Sequence, residues 1–90
     1  MEEKIGISRF LDADGKIVQL SNKGKYKITI LRYLAEKFEE NLNYTEKEVN
    51  EICNKWHTFR DYFMLRRELL DNELLCRLPD GSRYWRLKKD

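Results

Sequence analysis

The sequence predicts an α+β domain: a three-helix, helix-turn-helix core closed by a C-terminal β-hairpin wing, with a short N-terminal strand. Three observations predict it. Apolar residues recur at helical spacing in three separate stretches. Thr45 and Glu48 form a capping-box pattern at the start of the second stretch. Near the C-terminus, "LCRL" and "SRYWRL" flank a proline-glycine turn.

Ninety residues make one domain, residues 1–90. A chain this short buries about 60% of its unfolded surface, so one small core is expected. Residues Ile7, Phe10 and Leu11 have i, i+3, i+4 spacing and allow a helical turn. "DADG" follows as a turn, and Lys16–Leu20 reads as a brief strand. From Lys23 to Phe38, one helical face carries Ile28, Leu31, Leu34, Ala35 and Phe38, with Lys25, Thr29, Arg32 and Glu36 opposite.

Thr45 opens the second helix, with Glu48 reaching back and Tyr44 placed to staple onto Val49. Val49, Ile52, Cys53 and Trp56 then form a narrow apolar stripe. A third helix starts near Thr58–Asp61, either of which suits an N-cap. Tyr62, Leu65, Leu69 and Leu70 share its apolar arc, whereas Arg60, Met64, Arg67 and Asp71 lie opposite. Arg66 falls inside the apolar arc, so its stem should pack and its head should meet a carboxylate.

With Pro79–Ser82 as the hairpin loop, Leu78 opposes Arg83, Arg77 opposes Tyr84, and Cys76 opposes Trp85. Alternation then separates Cys76, Trp85 and Leu87 from Arg77, Tyr84 and Arg86, and the first set is expected to face the core. The economical assembly is winged-helix-like. In such modules the last helix enters the major groove and the wing rests on the backbone or minor groove.

"LRYLAEKFEENLNYTEKEVNEI" and "LRRELLDNELLCRLPDGSRYW" resemble a prokaryotic family of domains of unknown function, number 2087 in its series. The likeness runs from "FLDADGKI" at Phe10 to Arg86. Members occur alone or attached to helix-turn-helix transcription regulators, so the resemblance implies a transcription-related context, with no established activity and no agreed functional residues. Two features depart from the family. Glycine is usual where Glu73 stands, which leaves Asn72 as the expected left-handed helix cap. "HTFRDYFM" replaces a segment that is usually more acidic and less bulky.

Composition narrows the function classes. Hydrophobic residues are 41% and charged residues 38%, yet the net charge is only +2. That falls short of the bulk basicity of a nonspecific nucleic-acid binder. The distribution is more telling. Arg77, Arg83, Arg86, Lys88 and Lys89 are opposed only by Asp80, whereas Glu39–Glu51 is acidic. A solvated surface of mixed sign would account for the same pattern. The two cysteines lack disulfide-rich spacing, which indicates free thiols and a cytoplasmic setting. No apolar run approaches a membrane span and no secretion-type leader is present, so no membrane partner is expected.

Duplex DNA binding is the preferred expectation, through Arg60, Met64 and Arg67 on the third helix and Arg77, Tyr84, Arg86, Lys88 and Lys89 on the wing. Asp61, Glu68 and Asp71 lie beside that face and repel phosphate. The competing expectation is a protein-interaction module, pairing with itself or a regulator protein through Phe63, Met64 and Tyr84.

Cys53 and His57 have zinc-ligand spacing, but core thiols and a histidine at a helix end explain them without metal. No cofactor is expected. The single histidine and the lack of a nucleophile or phosphate-loop motif argue against an enzyme. Phe38, Tyr44, Trp56, Phe59 and Tyr62 fall at core spacing, which favours packing over a base-stacking platform.

Overall fold

A computed structural model describes residues 6–87. A 3-10 turn at Ser8–Phe10 precedes α1 (Gly24–Ala35), β1 (Asn43–Tyr44), α2 (Glu46–Lys55), α3 (Tyr62–Asp71), β2 (Leu75–Arg77) and β3 (Tyr84–Arg86). The strands form one antiparallel sheet in the order β1-β3-β2. Three helices with this small sheet are compatible with a winged-helix-like fold.

Local chemistry sets most boundaries. At the start of α2 the capping box is complete: Glu48 N–H donates to Thr45 Oγ1 (3.1 Å) and Thr45 N–H donates to Glu48 Oε1 (2.8 Å). Asp61 caps α3 by accepting from Met64 N–H at 3.1 Å. The helix α1 is shorter than its apolar pattern. After Ala35 the chain tightens, with Lys37 N–H donating to Leu34 O and Phe38 N–H to Ala35 O, both at 3.0 Å. These 3-10 bonds keep Phe38 buried beyond the helix end. Ile30 and Tyr33 are also buried, so the core-facing side of α1 is wider than the expected stripe.

The third helix ends in a Schellman turn. Leu74 N–H donates to Leu69 O (2.9 Å) and Glu73 N–H to Leu70 O (3.1 Å), with Glu73 at φ +59°. The left-handed residue is therefore Glu73 and not Asn72, whose φ is −95°. Asn72 instead donates its side-chain amide to Glu68 O at 2.8 Å. Leu69 and Leu74 are both buried, as the apolar contact of this motif requires.

Lys16–Leu20 was expected as a strand, but it contributes only isolated bridges at Ile17. Ile17 N–H donates to Trp56 O (2.8 Å), and Thr58 N–H donates to Ile17 O (3.0 Å). The segment thus straps the turn between α2 and α3. The sheet's third strand is β1, whose two residues are too few to show alternation in sequence.

Hairpin register follows expectation: Cys76 faces Trp85 and Arg77 faces Tyr84. Its orientation is reversed. Leu75 and Tyr84 are buried, while Cys76 and Trp85 are half-buried on the opposite face. The Schellman turn delivers Leu74 and Leu75 consecutively to the core, which sets the phase of β2 and hence of β3.

Candidate nucleic-acid interface

Of the residues expected on the reading surface, Arg60, Arg67 and Arg77 are exposed. Arg60 precedes the α3 cap in a left-handed conformation, φ +57°. Arg67 lies one turn before Asp71, with Nε 3.9 Å from Oδ2. Both partners are largely exposed, and such a pair is worth about 0–1 kcal/mol, so an approaching phosphate can replace the carboxylate. Arg77 reaches over the hairpin turn: a β-carbon added at Gly81 would lie 3.4 Å from its Nη1 and 3.6 Å from Glu46 Oε1.

Three expected residues are placed differently. Met64 is half-buried and packs against the core cluster. Tyr84 is 1% exposed and donates its hydroxyl to Glu46 Oε1 at 3.1 Å. Burial, followed by that carboxylate, raises its pKa above the usual phenol value. Arg86 is half-buried and donates from Nη1 to the Phe38 carbonyl at 3.2 Å, tying β3 to the end of α1. These side chains belong to packing. Lys88 and Lys89 lie outside the described residues.

Arg66 behaves as its place in the apolar arc implied. Nη1 donates to Asn50 Oδ1 at 2.6 Å and lies 3.8 Å from Glu46 Oε2. Its guanidinium also sits 5.0 Å from the Phe63 ring centroid. Lys27 is engaged too, 3.1 Å from Glu68 Oε2 across α1 and α3. Glu46 and Glu48 occupy the first turn of α2, so that helix start repels phosphate. The exposed face of α3 additionally carries Tyr62 at 36% and Phe63 at 55% exposure.

Cys53 and His57 are both buried. Burial pushes the Cys53 thiol up to about 12, against a smaller opposing pull from Arg66. The His57 ring spans the helix junction: Nδ1 lies 2.6 Å from Cys53 O, and Nε2 accepts from Asp61 N–H at 2.8 Å. Since Nε2 accepts, Nδ1 carries the proton and donates. Both nitrogens are thus used by backbone groups. Among the described residues no three His, Cys, Asp or Glu side chains cluster for a metal. No helix there is long and apolar enough to cross a membrane.

A second feature lies on the outer face of the sheet. Asn41, Asn43, Leu78, Arg83 and Trp85 line an open cavity of about 390 Å³. The i, i+2 spacing of Arg83 and Trp85, and of Asn41 and Asn43, signals one shared face. Assigning Trp85 to the core concealed it.

The fold defines a small α+β domain of three helices and a three-stranded antiparallel sheet. The chain belongs to a family described as uncharacterized proteins conserved in bacteria (DUF2087), which matches residues 16–86. No curated protein and no solved structure matches it.

Proposed function

We propose that the protein is a non-enzymatic, cytoplasmic regulatory module that contacts duplex DNA through α3 and the hairpin. The observation that carries this reading is the exposure of Arg60 just before α3, Arg67 on it and Arg77 on the wing. Arg60 and Arg77 have no ion pair among the described residues, and the partner of Arg67 is a weak one. In a winged-helix-like arrangement such arginines contact phosphates or guanine edges. The free thiols, Cys53 and Cys76, suit a reducing compartment. A transcription-related role fits such a module.

Anisotropy of a labelled mixed-sequence duplex, titrated at rising salt, tests the reading. Each phosphate-contacting arginine adds about 0.9 to the slope of log K against log salt. Arg67→Glu and Arg77→Glu are expected to weaken binding and flatten that slope, with an unchanged circular dichroism spectrum. No retention of duplex at low salt would overturn it.

One observation favours a second reading. Phe63, at 55% exposure beside Tyr62, is an aromatic anchor of the kind that protein interfaces use. If the module instead pairs with itself, Phe63→Ser would lower the mass found by light scattering while duplex retention stays absent.

A further inference from the structure

We propose that the outer face of the sheet binds a nucleotide, with its base against Trp85 and its phosphate on Arg83. Strand alternation assembles the site. Asn43, Trp85 and Cys76 form one row across β1, β3 and β2. Arg83 and Leu78 lie beyond Trp85 and Cys76 toward the turn, joined by Leu78 N–H donating to Arg83 O at 3.0 Å. Asn41 completes the rim.

The lining combines unpartnered amides, a cation and an indole on one face of the sheet. Among the described residues the side chains of Asn41, Asn43, Arg83 and Trp85 make no hydrogen bond or ion pair. Arg66, Arg67, Arg86 and Lys27, by contrast, all have partners. No carboxylate lines the cavity, so Arg83 gives it a net positive charge. Asp80 in the turn accepts from the Ser82 N–H at 2.9 Å and its hydroxyl at 2.7 Å, so it stays charged, but it does not line the cavity. Charge complementarity therefore calls for an anion.

Half-buried Trp85 and Leu78 supply an apolar floor and wall, which suits a planar ring rather than a bare inorganic ion. The two side-chain amides each offer donors and an acceptor, the groups that meet the edge of a base. About 390 Å³ falls within the range of small-ligand sites. A free nucleotide and a nucleotide within a single strand present this same chemistry. The site shares no residue with the duplex surface of Arg60, Arg67 and Arg77, so the two readings stand or fall separately.

Tryptophan fluorescence in a Trp56→Phe background leaves Trp85 as the only reporter, since the chain holds two tryptophans. Adenosine 5′-monophosphate, uridine 5′-monophosphate, adenosine and a short single-stranded oligonucleotide serve as probes. Saturable quenching at a Kd of about 1 mM or tighter is expected, weakened at least about tenfold by Arg83→Ala. Quenching by the monophosphates identifies a free nucleotide; quenching by the oligonucleotide alone identifies a single strand. No quenching by any probe, or equal binding of adenosine and its monophosphate, overturns the proposal. In the unsubstituted protein, ligand should slow alkylation of Cys76, the cross-strand neighbour of Trp85. Unchanged alkylation at saturating nucleotide would overturn it too, whether or not the Trp56 variant folds.

Discussion

Glu73 occupies a backbone position that glycine fills without strain, at φ +59°. A non-glycine residue there costs about 1–2 kcal/mol, partly offset because glycine widens the unfolded ensemble. Glu73→Gly is therefore expected to raise unfolding stability by up to about 1 kcal/mol in urea titrations. A loss of stability would show that the side chain's own contacts outweigh the strain. The two thiols differ by environment in the same local way. Cys53 is buried with its thiol pushed up to about 12, whereas Cys76 is half-buried on the sheet. At neutral pH, iodoacetamide should label Cys76 first and reach Cys53 only on unfolding, as peptide mass spectrometry would show. The role of Arg66 was legible because its position within an apolar arc leaves its head only a nearby polar partner to find. Met64 was not: it lies opposite the apolar arc in sequence, and only the packing of α3 brings it against the core.

Caps decide the helices at the next scale. Thr45 and Asp61 each satisfy a backbone N–H of α2 or α3 that has no partner within its helix. Thr45→Ala and Asp61→Ala should each cost about 1 kcal/mol, read as a lower urea midpoint with unchanged slope. Because the two caps serve different helices, the double variant should lose close to the sum. The Thr45 cap was readable in sequence, since its bonding groups lie three residues apart, whereas the α3 cap was readable only as Thr58 or Asp61. Hairpin register was equally readable, since a proline-glycine turn fixes which residues oppose each other. Its inward face was not. Alternation places Tyr84 and Trp85 on opposite sides, but both are large and aromatic, so composition gives no sign.

Three buried acids link elements across the whole molecule. Tyr33 of α1 donates to Gly15 O at 2.6 Å, and Tyr84 of β3 donates to Glu46 of α2. Cys53 belongs to the same buried core. Burial raises all three, aided by Asp12 and Glu36 at Tyr33 and by Glu46 at Tyr84. The folded protein therefore holds these protons more tightly than the unfolded chain does. Their stabilising effect is complete below the ordinary values of 9.0 for the thiol and 10.0 for the phenols. It is lost as pH rises through the higher folded values. Thermal midpoints should stay level near neutrality and fall once pH passes about 9. Tyr84→Phe should flatten part of that fall; an identical decline would remove Tyr84 from the account. The same assembly consigns Tyr84 and Arg86 to packing and leaves Arg60, Arg67 and Arg77 outside. It also opens the cavity around Trp85.

Interactions between near neighbours were determined by the sequence alone: the capping box at Thr45, the Asp12–Gly15 turn, and the pairing of Cys76 with Trp85, with the α3 cap narrowed to Thr58 or Asp61. Each joins groups within four residues or directly across a turn, so spacing is enough to specify it. Tertiary structure decided which side of the hairpin is buried, that β1 rather than Lys16–Leu20 completes the sheet, and where Ile17 ties down. Periodicity states which residues lie together, not which side meets the core. That choice comes from the Schellman turn at Glu73, which brings Leu74 and Leu75 inward and carries the hairpin with them.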